Sequence, residues 1–391
     1  MKKTVFFLAL LLLTQCKTGN NKQEAGDIVE IDVSQKYSER EVLLQDIAKV
    51  EYIPLETNDN TLIGLSRTVY VSDNYIIVIN IREGDIFVFD GKGKSKFSFN
   101  KRGQSGTEYV NLSSIAFDEK AKEIFVTNTF AAAPKFLVYS EDGQFKRSLP
   151  FPPNFSPRDI YNFDDKTLLV YDNFGLNQDN YSVNPYLLID KSDGSVVDTL
   201  GIHLPVRVSN RVVIEVEVDG QKGIAPLTLA ISDNRSNGNN FLIADWSSDT
   251  IYRLTPKKEL LPLFVRKPPV QNSDPKIIIS NDLMTDKYFF FTKTVLDFES
   301  AQKSSTFPTM NLMYDFETGQ FNEYKLINNE YEGRRVGFDA ALTPENTGVY
   351  RLDVFRLFDA DKAGNLKGEL KELLKVLEED DNPILVKVRF L

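Results

Sequence analysis

The chain has one cysteine, one histidine and one tryptophan in 391 residues. With Cys16 alone there is no internal disulfide, and with His203 as the only histidine no Cys/His zinc site can be assembled. A serine hydrolase would have to use His203, which sits in the stretch GIHLPVRV with no nucleophile elbow nearby. The N-terminal apolar run Val5–Leu13 is nine residues, well short of the roughly 20 that cross a bilayer as a helix. Positive charge is in deficit, 46 Lys and Arg against 56 Asp and Glu, which argues against nonspecific nucleic-acid binding.

What is present begins with an export signal. Lys2 and Lys3 precede the apolar run, and Thr14, Gln15 and Cys16 follow it, so residues 1–15 read as a signal peptide. Leu13-Thr14-Gln15-Cys16 resembles a bacterial lipoprotein lipobox, with Gln15 where Gly, Ala or Ser is usual, and the resemblance implies lipidation of Cys16. Removing residues 1–15 takes away two lysines and no acid, moving the net charge from −10 to −12. Residues 16–27 are small and polar and read as a lipid-anchored flexible tether. The expected address is the bacterial cell envelope, periplasm-facing or surface-exposed, with membrane contact through the lipid anchor only.

From residue 28 to 391 the pattern is one hairpin restated. Ile86–Asn100 alternates apolar and polar residues, turns at Asp90-Gly91 and returns. The same grammar recurs at Phe136–Leu149, Tyr186–Leu200, Ile251–Val265 and Leu312–Leu326, in steps of about 50 to 65 residues. A buried β-run precedes each hairpin: Tyr75–Ile79, Glu123–Thr127, Thr167–Tyr171, Phe241–Ala244 and Tyr288–Thr292. Repeats of this length with several short strands each indicate an all-β, six-bladed β-propeller. The long step through Pro205–Asn240 has room for an extra hairpin at Val212–Val218.

The sixth blade has to be assembled from both ends of the chain. Val349–Phe355, Ile384–Phe390 and Val50–Leu55 supply strand candidates. Between the first two, Val354–Phe358 permits a hairpin, whereas Leu366, Leu370, Leu373, Leu374 and Leu377 share one helical face, so Asn365–Glu379 is expected as a short C-terminal helix inserted in the closing blade.

Three segments, EYIPLET at Glu51–Thr57, KRGQSGTEY at Lys101–Tyr109 and EDDNPILVKVRF at Glu379–Phe390, resemble landmarks of the six-bladed β-propeller lipoproteins of Bacteroidetes, an NHL/TolB-like group. The middle segment keeps Gly103, Gly106, Glu108 and Tyr109 and has Ser105 where proline is common. The resemblance implies fold and location, and no reaction.

Chemistry-bearing candidates are few. The Gly-rich Lys101–Tyr109 loop suits either an anion-facing nest or a tight turn between blades. Asp359–Leu370 imitates a calcium loop but has Ala363 and Leu370 at two ligand positions. Ser140–Phe145 lacks the spacing and the tryptophan of a sialidase box. A binding module is expected rather than an enzyme, with a small molecule, glycan or protein held in the funnel where loops converge. Strand-end residues Arg67, Arg82, Lys101, Arg102, Asn128, Asn173 and Trp246 are the candidate lining. The alternative is a calcium-dependent hydrolase of the lactonase or gluconolactonase-like kind, with Asn80, Asn128, Asp172 and Asp245 as metal candidates. No other cofactor is expected.

Overall fold

The second strand of each repeat explains the architecture: Tyr75–Asn80, Glu123–Asn128 and Thr167–Asp172 are buried at every position. A strand buried on both faces must lie between two other layers, and in the computed structural model those layers are neighbouring blades of a six-bladed propeller. The structure describes residues 28–391 apart from 154, 173–182, 209–210, 219–220, 229–233, 239 and 305. The expected leader, Cys16, the tether and Asn173 lie outside the described residues.

Strands are lettered a to d from the axis outward. Blade 1 is Arg67–Val71, Tyr75–Asn80, Asp85–Asp90 and Ser95–Asn100. Blade 2 is Ile115–Asp118, Glu123–Asn128, Lys135–Ser140 and Phe145–Pro150. Blade 3 is Pro157–Asn162, Thr167–Asp172, Tyr186–Asp190 and Val196–Thr199. Blade 4 is Asn234–Asn237, Asn240–Ile243, Thr250–Leu254 and Leu260–Lys267, and blade 5 is Ile277–Met284, Tyr288–Val295, Thr309–Asp315 and Gln320–Ile327. The repeating hairpins of the sequence are the c and d strands, and the a strands of adjacent blades meet around the axis.

The turn between c and d has one recurrent need, a residue at positive φ. Gly93, Gly143, Gly194 and Gly319 supply it, and Lys258 does so in blade 4. A Cβ on Gly143 would also lie 2.4 Å from the Phe99 ring of blade 1, so this turn is where neighbouring blades touch.

Closure uses both chain ends, as the strand candidates indicate. In the sixth blade Thr347–Leu352 pairs with Ile384–Phe390, which pairs in turn with Ala48–Pro54. Val354–Lys362 is a helix rather than a hairpin, and Gly368–Leu373 with a 3-10 turn at Leu374–Val376 replaces the single longer helix expected. Near the axis, residues 336–344 take the place of an a strand: Leu342 bridges Tyr70 of blade 1, and the Val71 N–H donates to the Leu342 carbonyl at 2.9 Å. Ahead of Ala48, Val29–Asp32 and Glu39–Leu43 add parallel fifth strands outside blades 4 and 5. The insertion after blade 3 does form a hairpin, Arg211–Val218 with Gln221–Thr228.

The closing strand carries a lysine that the alternating pattern places on the polar face. Lys387 is nevertheless buried, with its Nζ 2.8 Å from Asp73 Oδ1 in the a–b turn of blade 1, and Arg389 reaches the same oxygen at 2.6 Å. The hydrogen bond from Lys387, then its charge, holds the Asp73 carboxyl below the ordinary carboxylate range. A depressed folded-state pKa means this contribution is complete above the ordinary carboxylate pKa and is lost as pH falls through the lowered value. Asp73→Asn should cost about 1–2 kcal/mol near pH 7, discounted because Asp73 itself is largely exposed. Urea unfolding at pH 7 and at pH 3 checks this, since the difference between parent and variant should shrink in acid.

Candidate functional site

A propeller offers two ends to a ligand. One, the loop face, carries the b–c and d–a connections; the other, the turn face, carries the a–b and c–d turns. All the described sequence-predicted residues fall on the loop face, because each was chosen at the end of a b strand or next to a d–a connection.

They do not form one site. Arg82 and Arg102 come together at blade 1, where Arg102 Nη1 donates to the Arg82 carbonyl at 2.9 Å and both side chains face solvent beside Lys101. Arg67 is half-buried at the start of its a strand and donates to the Ser113 carbonyl at 3.0 Å. Trp246 is buried in a small apolar cluster with Val270, Ile278, Leu296 and Phe307. The Asx residues at or just past the ends of successive b strands act as fasteners. Asn80 Oδ1 accepts the Arg82 and Glu83 N–H groups, each at 3.1 Å. Asn128 accepts Val110 N–H at 3.0 Å and donates to the Glu108 carbonyl at 3.0 Å. Asp172 accepts Ser156 N–H at 3.0 Å, and Asp245 accepts Ser247 N–H at 2.8 Å. Their recurrence in four blades has a physical cause in the chain itself, since each holds a connection that would otherwise leave backbone donors unmet.

Asp172 and Asp245 also have a cation for company. Arg207 Nη1 donates to the Asp172 carbonyl at 3.0 Å, Nη2 donates to the Tyr171 hydroxyl, and the guanidinium lies 5.0 Å from the Tyr171 ring centre. Burial works to lower the Arg207 pKa, and Tyr171, Asp245, Tyr186 and Asp172 together outweigh it, so the group is held charged. Among the described residues no three or more His, Cys, Asp or Glu side chains stand in a metal-holding group.

The Lys101–Tyr109 loop meets its own anion. Glu108 Oε2 accepts the Ser105 N–H at 2.9 Å, while Tyr109 N–H and the Gly103 N–H close on opposite carbonyls at 3.0 Å. The Tyr109 hydroxyl donates to the Gly84 carbonyl at 2.6 Å, tying the loop to blade 1. This is the inter-blade turn. His203, near the same end, is exposed and within 3.2 Å of the Asn184 side-chain oxygen.

The concavity lies on the other end. A cavity of about 1050 Å³ opens on the turn face, lined by blades 1, 2, 3, 4 and 6. Its polar wall is Glu119, Lys120, Asp165, Lys166 and Glu345, and its apolar wall includes Tyr70, Phe163, Pro256 and Pro344. Glu119 is fixed by the Tyr70 hydroxyl and the Asn74 amide, each donating at 2.8 Å. Burial pushes its pKa up, and the hydrogen bonds from Asn74, Ser72 and Tyr70 more than compensate, leaving an ionised carboxylate. Burial and the Glu119 hydrogen bond raise Tyr70 far above the usual phenol range, so it stays a donor. Sequence reasoning missed these residues because Glu119-Lys120 and Asp164-Asp165-Lys166 look like ordinary polar turns; only their recurrence at equivalent a–b turns marks them.

The description "Domain of unknown function (DUF4934)" fits residues 28–389 of this chain. The chain belongs to the DUF4934 family. Among solved structures, a Bacteroides fragilis protein inferred to be exported is 19% identical, with 93% of this chain and 100% of that one covered at a TM-score of 0.62, which shows a shared fold. A DUF4221 family member from Bacteroides vulgatus is 8% identical, with 88% and 97% covered at a TM-score of 0.45. No curated protein matches the sequence.

Proposed function

We propose that this DUF4934 propeller is a lipid-anchored binding module of the cell envelope that takes its ligand in the turn-face cavity. The observation carrying the reading is the wall itself: Glu119, held ionised by its hydrogen bonds, with Asp165 and Glu345 beside aromatic and proline faces, in a concavity of about 1050 Å³. Such a wall accepts hydrogen bonds from hydroxyl or amino groups and packs an apolar edge, which suits a glycan or a short peptide. Cys16 directly after the apolar run, and a fold neighbour inferred to be exported, support the address.

Titration of the purified protein with chitooligosaccharides and with a tri-lysine peptide tests the reading. Asp165→Ala and Glu345→Ala, both at exposed positions, should each weaken the binding probe roughly tenfold, as loss of a charge-assisted hydrogen bond does. Affinity insensitive to both, yet lost on Arg82→Ala with Arg102→Ala, would move the site to the loop face. In the same strain Cys16→Ser should abolish labelling by a palmitate analogue and release the protein from membranes.

A further inference from the structure

The charges on the turn-face cavity do not cancel. Five carboxylates line it against two lysines, Lys120 and Lys166. Three of the five are answered by cations of the protein itself. Asp118 lies 2.6 Å from the buried Lys191 Nζ, and Asp165 pairs with Lys120. Asp164 accepts the Lys166 and Thr167 N–H groups at 2.8 and 2.7 Å and feels the charge of Lys258, while the charge of Lys166 acts on Asp190 at the c–d turn of the same blade. Glu119 and Glu345 are left. Glu119 is ionised, and its partners, the Tyr70 hydroxyl and the Asn74 amide, are neutral, so neither cancels its charge. Glu345 is exposed and belongs to no ion pair among the described residues. Blade 1 stands between the two: Tyr70 donates to Glu119 on one side and bridges Leu342, shortly before Glu345, on the other.

We infer that the cavity selects a flexible oligocation, a chain with two or more ammonium or guanidinium groups on aliphatic stems, of the kind a lysine- or arginine-containing peptide segment supplies. The inference rests on the cavity reading proposed above and names the charge of its ligand. A single ammonium answers one of the two free carboxylates, whereas a chain with several reaches both across blade 1. Aliphatic stems of this kind lie along apolar surface while their heads meet carboxylates, and the wall around the two charges offers Tyr70, Phe163, Pro256 and Pro344 for them to cover. The ring faces add attraction for a cation held close to them. A neutral glycan on the same wall would take two charges out of water with no opposite charge to offset the loss. Free polyamines share the oligocation chemistry, and the two sources are separated by the ligands titrated.

Calorimetric titration of the purified protein compares tri-lysine, spermine, fully N-acetylated tri-lysine and neutral chitooligosaccharides. Tri-lysine or spermine should bind, the tighter of the two naming peptide or polyamine as the source, and acetylation should weaken tri-lysine roughly tenfold or more. Glu119→Gln keeps an acceptor for Tyr70 and Asn74 while removing the charge, and should weaken the oligocation roughly tenfold. Glu345→Gln, at an exposed position, makes the same test if Glu119→Gln fails to melt cooperatively. Lys120→Met should move affinity the other way, a gain of roughly threefold, because Asp165 is then released to the ligand. A merely structural role for these turns gives no such gain. High salt should remove most of the oligocation binding and leave that of a neutral sugar. Chitooligosaccharide binding that matches tri-lysine, survives Glu119→Gln and is lost on Asp165→Ala overturns the inference and leaves the cavity reading standing. Absence of both tri-lysine and spermine binding also overturns the inference, and oligocation binding indifferent to Glu119→Gln, Glu345→Gln and Lys120→Met overturns it together with the cavity reading.

Discussion

Truncation of Pro383–Leu391 is expected to give insoluble or molten protein with no cooperative melt. Ile384–Phe390 is the middle strand of its sheet, bonded to Thr347–Leu352 on one side and Ala48–Pro54 on the other, so its loss exposes two edges at once. Ile384, Leu385, Val386 and Val388 are all fully buried, on both faces of the strand. Each such side chain is worth about 1.5–3 kcal/mol of burial, and the four together rival the 5–15 kcal/mol net stability of a typical domain. Their neighbours lose partners too: Leu385 packs with Val71, Ile76 and Phe89 of blade 1, and Ile384, Val386 and Val388 pack with Phe290 and Tyr324 of blade 5. By contrast Val376→Ser, on the insertion that precedes this strand and 79% exposed, should melt with the parent. Circular dichroism melts with dye-binding assays compare the two, and a soluble truncation that melts cooperatively at the parent temperature would show that the ring closes without this strand.

The blades were legible because their outer parts repeat strong local signals. Four-residue apolar cores in Asp85–Asp90 and Lys135–Ser140, and the longer apolar run in Tyr75–Asn80, come from burial against the next blade. The a strands were illegible for the opposite reason. Asn234–Asn237 reads NRSN and Pro157–Asn162 reads PRDIYN, with no apolar period to mark a strand, whereas Ile115–Asp118 is short and Ile277–Met284 breaks its apolar run at Ser280-Asn281-Asp282. The helix at Val354–Lys362 was hidden by β-like composition, since VFRLF satisfies either period and only packing decides. Val354, Leu357 and Ala360 are its buried face, a spacing of three that a strand would not present.

The candidate site was harder to read, because a strand end does not reveal whether its polar residue faces a ligand or its own backbone. Asn80 and Asn128 stand at strand ends, and each holds a neighbouring connection by hydrogen bonds. The cavity, in contrast, is built from segments scattered between Tyr70 and Glu345, Glu119 and Asp165 among them, whose common property is the blade edge they share. Recognising it from sequence would have required the a strands that the apolar pattern leaves out.

Lys191→Met is expected to be among the most damaging single substitutions, although lysine in a polar c–d turn looks dispensable. Lys191 Nζ lies 2.6 Å from Asp118 Oδ2, with both side chains over 90% buried, and it also donates to the Asp164 carbonyl. The pair locks the turns of blade 3 onto the end of blade 2's a strand, next to the Arg147–Glu123 fork whose bonds measure 2.7 and 2.8 Å. Burying two charges costs several kcal/mol in desolvation, offset only while each has its partner, so removing the lysine should cost about 3–5 kcal/mol. Adding Asp118→Asn should recover a large part, because the amide oxygen can still accept the Ala121 N–H, held at 3.0 Å, without a buried charge. Lys120–Asp165 on the same cavity rim is the internal control: both side chains are mostly exposed, and Lys120→Met should leave unfolding unchanged. Urea titrations of the three variants, repeated in high salt, decide the matter. Screening should leave the Lys191 loss intact, and a Lys191→Met protein as stable as its parent would mean that this ion pair adds nothing net to the contact between the two blades.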